Sequence, residues 1–438
     1  MGCVKLVLFF MLYPFLCQLA FSSSLRHLCS KDQPHALLQF KQMFTINPNA
    51  SDYCRRSRTL SWNKSTDCCS WNGVQCDEMT RQAIELDLYC SGLQGKFHTN
   101  SNLFQLSNLK QLDLSYTDFF GSLISPKFGE LSNLTHLNLS RSSFTGIIPT
   151  EISHLSKLQY LQTLILSQNN FSGQIASTIF NPKILRVLDL GSNHLNGTIP
   201  HCLGEMSGLE VLGLNNNNLS GTINTENKLI IINLYGNKLK GKVPTSLINC
   251  RYLKFLDLGN NELNDTFPSW LGGLLLTTEI IINLSRNRFE GYLPSIIGDL
   301  VGLHMLNQSH NGLEGIIPAS LEHLSVLESL DLSSNKIGGE SPQQLASLIF
   351  LAVINLSPNH LVGCIPKGKQ FDTFENSSYQ GNDRLREFPL SKDCGGDDGV
   401  LQATTPVELG CNTPHFGLER KSSFLCVDDP KAINPMQI

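Results

Sequence analysis

The chain has few charged residues and no long run of one sign. Lys, Arg, Asp and Glu make up 16% of its 438 residues, and the formal net charge is −4. Proteins that bind nucleic acid present a clustered excess of Lys and Arg to the phosphates. Because the sequence has no such cluster, we expect no nucleic-acid partner.

A recognisable catalytic constellation is also missing. The 12 histidines are scattered, and no set of Ser, His and acidic residues can be assigned to one cleft. Gly236, Gly241 and Lys242 come close to a phosphate-binding loop, but Val243 stands where that loop needs Ser or Thr. We therefore expect no enzyme, with no catalytic residues, no cofactor and no metal.

The sequence also lacks an apolar run long enough to cross a membrane. A span needs about 20 apolar residues, whereas the stretch from Leu6 to Ala20 is shorter and contains Pro14 and Gln18. Lys5 precedes this stretch and small residues follow it, which is typical of a secretory signal peptide. We assign residues 1–22 to a signal peptide and expect an exported chain.

One phrase, by contrast, recurs many times along the chain. It reads Leu188-x-Leu190-x-x-Asn193-x-Leu195-x-Gly197, and later copies end 24 residues apart at Gly291, Gly315, Gly339 and Gly363. Units of about 20–29 residues with this Leu and Asn pattern are leucine-rich repeats. We count 12 units between Leu86 and Pro366, so residues 83–366 are the predicted repeat domain.

Each position of the phrase has a physical role. The L-x-L segment predicts a short strand whose leucines point inward, each stabilising a core by roughly 1.5–3 kcal/mol. The Asn amide can satisfy backbone groups that stacking leaves unpaired, Gly permits a tight turn, and Pro fixes an extended return. One unit cannot bury its own leucines, so we expect an α/β solenoid whose parallel strands form one concave sheet.

One irregularity in the repeats has an energetic consequence. Gln308 occupies a position where the other units have Leu. A buried amide without partners costs about 1–3 kcal/mol. We therefore expect local strain in this unit.

Both ends of the repeat domain carry cysteines. Residues 23–82 contain an apolar helical pattern from Ala36 to Lys41 and the run Cys68-Cys69-Ser70-Trp71-Asn72-Gly73-Val74-x-Cys76, which predict an N-terminal cap. Cys364 and Cys394 predict a C-terminal cap over residues 367–396, followed by an atypical polar tail over residues 397–438. In an exported chain, clustered cysteines indicate disulfides rather than zinc ligands. Cys202 and Cys250 lie within repeats and are expected to be buried thiols.

Asn-x-Ser/Thr sequons agree with export, because such sites are glycosylated in the secretory pathway. Some arise by chance from the Asn-rich strand phrase. The predicted sites are Asn49, Asn63, Asn133, Asn138, Asn170, Asn196, Asn218, Asn264, Asn283, Asn307, Asn355 and Asn376.

The cap motifs and the repeats together resemble a known family. The Cys68–Cys76 run, the L-x-G-x-I-P repeats and the stretch from Gly368 to Asn382 are similar to plant receptor-like proteins, in particular the tomato Cf-type class that confers resistance to leaf-mould fungus. The resemblance implies a plant extracellular solenoid with disulfide-capped ends. It also implies perception of a pathogen-derived protein or peptide ligand at the cell surface, with signalling passed to a partner receptor kinase.

The same resemblance implies a location and three disulfides. Members of the family are single-pass plasma-membrane proteins, so the chain is expected in the apoplast or at the outer face of the plasma membrane. The implied pairs are Cys29–Cys68, Cys69–Cys76 and Cys364–Cys394. The pairing of the remaining cysteines is left open, namely Cys54, Cys90, Cys202, Cys250, Cys411 and Cys426.

The chain departs from the family at its C-terminal end. Such receptors carry more repeats, a non-repeat island and a membrane helix, whereas this sequence ends in a polar tail. We therefore expect a truncated or frame-shifted member without a membrane span. Two alternatives follow: a soluble inhibitor of a secreted microbial enzyme, similar to plant polygalacturonase-inhibiting proteins, and a non-functional truncated paralogue.

Variable positions in and just after the strands are the candidate ligand-binding residues. Leu and Asn serve packing, and aromatic and Arg side chains are frequent anchors of interfaces. Glycans at Asn283, Asn307 and Asn355 would cover the C-terminal part of the concave face, which favours ligand contact between Tyr116 and Lys254. The candidates are Tyr116, Arg141, Gln168, Arg186, Asn216, Tyr235, Lys254, Arg286 and His310.

Overall fold

The repeats stack into a solenoid with one long main sheet. The computed structural model describes residues 29–47, 54, 57–157, 160–177, 184–223, 229–274, 278–390 and 394. The 13 strands of the main sheet follow one another in chain order. They are β2 (Val74–Cys76), β3 (Ala83–Asp87), β5 (Gln111–Asp113), β6 (His136–Asn138), β8 (Thr163–Ile165), β10 (Val187–Asp189), β12 (Val211–Gly213), β14 (Ile231–Asn233), β16 (Phe255–Asp257), β18 (Ile280–Asn283), β20 (Leu303–Asn307), β22 (Ser329–Asp331) and β24 (Val353–Asn355).

All but the first pair of main-sheet strands run parallel. β2 and β3 are antiparallel, whereas every pair from β3 to β24 is parallel. The predicted α/β solenoid with a parallel sheet of L-x-L strands is therefore confirmed.

Leucines of neighbouring repeats lie in register behind the main sheet. Leu188 pairs with Leu164 on one side and Leu212 on the other, and its side chain is fully buried. Val187 and Asp189 flank Leu188 and point to the opposite face, because successive side chains of a strand alternate. Both remain half-buried.

A recurring asparagine ties each central repeat to the repeat before it. Nδ2 of Asn193 donates to the carbonyl oxygens of Leu166, Leu190 and Gly191 at 3.1, 3.0 and 3.1 Å. Its Oδ1 accepts from the backbone N–H of Phe171 at 3.0 Å. These backbone groups would otherwise be unpaired inside the solenoid, so the predicted role of the asparagine is confirmed.

Shorter strands follow the turn after each main strand. A second sheet of six strands contains β7 (Thr145–Gly146), β9 (Asn170–Gln174), β11 (His194–Thr198), β13 (Asn218–Gly221), β15 (Lys238–Gly241) and β17 (Glu262–Leu263). Further along, β19 (Glu290–Gly291) pairs with β21 (Gly312–Leu313), and β25 (His360–Cys364) lies between β23 (Gly338–Glu340) and β26 (Arg384–Arg386). Gly197 shows why glycine lies at or near the end of these strands: its φ is +81°, and an added Cβ would lie 2.8 Å from the Gln174 side chain.

Most repeats return to the sheet through a short 3-10 helix that follows a proline. Proline cannot donate a backbone hydrogen bond and tolerates the first helical turn. The helices that follow a proline are Thr150–Ile152, His201–Leu203, Thr245–Asn249, Ser269–Gly273, Ser295–Asp299, Ala319–His323 and Gln343–Ser347. Pro126–Glu130 begins with its proline, Asn102–Gln105 follows Ser101, and the short α-helix α2 lies at Ser153–Lys157.

The N-terminal cap covers the core of the first repeat. The α-helix α1 (Gln33–Gln42) buries Ala36, Leu37 and Phe40, as its apolar pattern predicts. After it, β1 (Thr45–Ile46) pairs antiparallel with β4 (Leu93–Gln94), and short 3-10 helices follow at Arg58–Ser61 and Cys68–Ser70. The C-terminal cap has 3-10 helices at Phe371–Thr373 and Asn376–Ser378 and buries Phe371 and Tyr379.

Four disulfides close the caps. Cys29–Cys68, Cys69–Cys76 and Cys364–Cys394 are the pairs that the family resemblance implies. Cys54–Cys90, which the sequence leaves open, is the fourth.

Two predictions about buried groups have different outcomes. Cys250 is a buried thiol outside any disulfide, but Cys202 is only partly buried, so the expectation for Cys202 is wrong. The reason is that Leu203, and not Cys202, points inward from the helix at this position. Gln308 is fully buried and its Nε2 lacks a hydrogen-bond partner, as the Leu-rich pattern predicts.

Some sequence predictions lie outside the described residues. These are the signal peptide of residues 1–22, the sequon at Asn49, and the tail of residues 397–438 with Cys411 and Cys426. The domain boundaries drawn at 23–82, 83–366 and 367–396 stay predictions.

Candidate binding face

We call the side of the main sheet that points away from the leucine core the open face. The sequence predicts ligand-binding residues in and just after the strands, whereas the structure places the nine candidates in two rows. Arg186 and Lys254 precede strands β10 and β16, and the other seven follow the strands. Between the two rows lie the outward side chains of the strands themselves.

Six of the candidates share one uncommon backbone conformation. Their φ angles lie between 50 and 55°, in the left-handed region that non-glycine residues rarely adopt. Gly236 and Asn260 hold the equivalent position in their repeats, with φ of 67 and 51°. This position turns the chain from the main sheet to the second sheet, and we call it the turn row. The six candidates in it are Tyr116, Arg141, Gln168, Asn216, Arg286 and His310.

Aromatic and cationic side chains meet at the N-terminal end of the turn row. The rings of Tyr89 and Tyr116 contact edge to face with centroids 5.1 Å apart. The guanidinium carbon of Arg141 lies 4.7 Å from the centroid of the Tyr116 ring. Such contacts hold side chains in one orientation before a partner arrives, which reduces the entropy cost of binding.

Ion pairs run along the other row, where the strands begin. Nη2 and Nε of Arg186 donate to Oε1 of Glu210 at 2.7 and 3.0 Å. Lys254 Nζ lies 3.7 Å from Oε2 of Glu279. Both cations are more than half exposed, so these pairs contribute less than about 1 kcal/mol to stability. Arg186 and Lys254 can therefore exchange their partners for a ligand at little cost.

An apolar stripe between the rows was missed by the sequence reasoning. It consists of the outward residue just before the inward Leu or Ile of six successive repeats. Phe255 shows its character: the side chain is only 5% exposed, although it lies outside the leucine core. The available signal was the hydrophobic x residue in front of each L-x-L phrase. The stripe residues are Val187, Val211, Ile231, Phe255, Ile281 and Met305.

A row of Asp and Asn side chains beside the stripe was also missed. Oδ1 of Asp257 accepts from the backbone N–H of Gly259 and from Nδ2 of Asn283, both at 3.0 Å. Desolvation raises the pKa of Asp257 to about 6, and burial likewise raises the pKa of Asp113 and of Asp189. These carboxylates position the turns and form a polar, titratable band on the open face.

The predicted glycosylation sites divide into two groups. Asn138, Asn283, Asn307 and Asn355 lie half-buried on the open face, where Asn138 and Asn283 hydrogen-bond to neighbouring strands. The other described sequons have exposed side chains, namely Asn63, Asn133, Asn170, Asn196, Asn218, Asn264 and Asn376. The second group is better placed to carry glycans, and occupancy stays a prediction for all of them.

One cluster of metal-ligand residue types occurs within the described ranges. The Sγ atoms of Cys29, Cys68, Cys69 and Cys76 lie within 4.8 Å of one another. They are joined as two disulfides, so they offer no thiolate to an ion. Across the same ranges, helices are too short or too polar to cross a bilayer.

Family models match both the cap and the repeats. The model for the leucine rich repeat N-terminal domain matches residues 30–77. Leucine rich repeat models match residues 159–219 and 280–337 and residues 133–155 and 252–274.

Curated relatives of high identity are plant receptor-like proteins. Receptor-like protein 9DC1 of Solanum pimpinellifolium is 65% identical over 170 residues, which are 37% of this chain and 20% of that relative. Receptor-like protein Cf-9 of the same species is 63% identical over 172 residues, again 37% and 20%. The chain thus spans 20% of the length of these relatives.

Solved structures share the solenoid. A plant ice-binding protein aligns with a TM-score of 0.52 and 26% identity, over 84% of this chain and 99% of that chain. The PEPR1–AtPEP1 complex aligns with a TM-score of 0.52 and 26% identity, over 77% and 56%. A TDR receptor aligns with a TM-score of 0.53 and 27% identity, over 67% and 58%.

Fold, caps and family models define a leucine-rich-repeat protein with disulfide-closed ends. Within that class, the matched part of the chain is closely similar to plant leucine-rich-repeat receptor-like proteins of the Cf type.

Proposed function

We propose that the chain is the extracellular recognition module of a receptor-like protein in plant defence, without enzymatic activity of its own. It binds a pathogen-derived protein or peptide on its open face and passes the signal through a partner receptor kinase. Its place is the apoplast or the outer face of the plasma membrane. The supporting relatives are receptor-like proteins, and the structural neighbours include a TDR receptor and PEPR1–AtPEP1.

The apolar stripe is the main structural support for the proposal. Its six residues do not pack into the leucine core, so core packing does not explain their hydrophobic character. A central apolar strip bordered by charged and polar rows has the composition of a protein-binding surface. Residues 186–254 hold candidates from both rows, and the stripe extends this central region to Met305.

A charge placed in the stripe tests this function. The full chain is immobilised, and fractionated secreted proteins from a leaf-mould fungus culture are passed over it while surface plasmon resonance is recorded. Ile231→Asp should abolish the binding signal seen with the wild type. A partner bound on the stripe would bury the new carboxylate without a counter-charge, which is costly. Ile296→Asp is the matched control, since Ile296 is an exposed isoleucine in a 3-10 helix on the return side, and it should bind normally.

The alternative function is inhibition of a secreted microbial enzyme. Purified fungal polygalacturonase is assayed with and without the chain. Undiminished enzyme activity together with stripe-dependent binding supports the receptor proposal. Stoichiometric inhibition of the enzyme would overturn it in favour of the inhibitor.

A further inference from the structure

Phe120 is an aromatic side chain that the solenoid leaves uncovered. It is 81% exposed and lies at the edge of a cleft of about 560 Å³ between the turn row and the second sheet. The other walls are polar and include Ser143, Thr145, Gln168 and Asn170. An exposed aromatic ring facing hydroxyl and amide groups matches the surface of a sugar, which has an apolar C–H face and polar edges.

Asn170 is placed to deliver such a sugar into the cleft. It begins the sequon Asn170-Phe171-Ser172, and its side chain is exposed. Nε2 of His194 donates to Oδ1 of Asn170 at 2.8 Å. His194 belongs to β11, on one side of β9, so the amide oxygen faces β11 and Nδ2 faces the opposite side. That opposite side is where β7 and the cleft lie.

Asn170 and Phe120 line the same cleft from different chain segments. Thr145 pairs with Asn170 on one side and with Leu123 on the other, so three chain segments lie side by side. Neighbouring strands are about 4.8 Å apart, which puts Leu123, three residues after Phe120, about 10 Å from Asn170. A first sugar on Nδ2 would lie over Ser143 and Thr145, and a second one would reach toward the ring.

We propose that Asn170 carries an N-linked glycan whose first two sugars occupy this cleft and stack on Phe120. In the covalent step, C1 of the first N-acetylglucosamine of a lipid-linked oligosaccharide pyrophosphate bonds to Nδ2. The bond from C1 to the pyrophosphate oxygen breaks, the lipid pyrophosphate leaves, and Nδ2 loses one hydrogen as a proton. Gln168, Ser143 and Thr145 then hydrogen-bond to the sugar edges. The glycan covers the exposed ring of Phe120.

Asn218 offers a control within the same sheet. It is an exposed sequon residue at the start of β13, two strands beyond Asn170. Its cross-strand partner is the polar residue Asn196. A glycan on Asn218 therefore has a hydrophilic neighbour in place of an aromatic ring.

Glycan release from the folded protein tests the proposal. The full chain is produced in plant leaf cells, and peptide mass spectrometry measures occupancy at Asn170 and Asn218. A peptide N-glycosidase then acts on the folded protein, and the release rate at each site is followed. Release at Asn170 should be about tenfold slower than at Asn218, because the stacked sugars must first leave the ring.

Variants of Phe120 show whether slow release at Asn170 comes from stacking on the ring or from poor access of the glycosidase to the site. Phe120→Ser should raise the release rate at Asn170 to that of Asn218, and Phe120→Trp should keep it slow. The rate at Asn218 should be unchanged in both variants. An unglycosylated Asn170, or equal release rates at Asn170 in the wild type and Phe120→Ser, would overturn the proposal.

Discussion

The guanidinium of Arg141 lies over the ring of Tyr116, 4.7 Å from its centroid. The two residues belong to successive repeats and share the left-handed turn position, with φ of 50 and 55°. Stacking of the repeats therefore brings together side chains that are far apart along the chain.

A double-mutant cycle measures this contact. Tyr116→Leu and Arg141→Gln should show a coupling of about 0.5–1 kcal/mol in the free energy of unfolding, the usual value for an accessible cation–π pair. Urea unfolding of the four proteins gives the coupling. Tyr116→Leu combined with Lys254→Gln is the control and should be additive; additivity in the Arg141 cycle as well would show that the contact contributes nothing.

Replacing Gln308 by Leu should stabilise the protein. The side chain is fully buried with its Nε2 unpaired, which costs about 1–3 kcal/mol. We expect the free energy of unfolding of Gln308→Leu to rise by about that amount. Gln111→Leu is the control, because Gln111 is exposed on the open face and should give little gain. A loss of stability in Gln308→Leu would show that the amide has an essential partner.

The pKa of Asp257, raised to about 6, predicts a pH dependence of stability. Between roughly pH 4 and pH 6 the folded protein holds a proton that the unfolded chain has released, so this group stabilises the fold below pH 4 and that contribution is lost as pH rises through 6. Asp257→Asn should raise the melting temperature at pH 7.5 more than at pH 5, since Asn holds this position in neighbouring strands. An equal shift at both pH values would contradict a raised pKa.

Disruption of a cap disulfide should block secretion. Cys69 pairs with Cys76, and loss of a native disulfide commonly costs about 2–5 kcal/mol. In Cys69→Ser the first leucines would be exposed, and we expect little protein in the medium of producing cells. Cys202→Ser removes a thiol outside any disulfide and should be secreted normally. Wild-type yield and melting temperature in Cys69→Ser would show that the cap does not need this bond.

The sequence predicts the strands better than it predicts the binding face. Leucine burial determines the register of the main sheet. Shifting a strand by one residue would move each inward Leu to the exposed face. Leu188, Leu212 and the equivalent leucines therefore predict the pairing of the strands. The Cys54–Cys90 disulfide could not be predicted from the sequence, because several pairings are possible for the same set of cysteines. The stripe was missed because a hydrophobic residue in a strand, such as Val187 or Ile231, is ordinarily assigned to the core. Only the structure shows that these residues lie on the open face.

Alanine scanning of the open face tests whether the ligand binds there. The fungal fraction retained by the wild-type chain is titrated against Tyr116→Ala, Arg186→Ala, Tyr235→Ala, Lys254→Ala and Phe255→Ala, and against the exposed return-side controls Asn249→Ala and Glu322→Ala. At least one open-face variant should lose about 2 kcal/mol or more of binding free energy, as expected of an interface anchor, while both controls bind as the wild type. Wild-type affinity in all five open-face variants, with binding lost in the return-side controls, would contradict recognition on the open face.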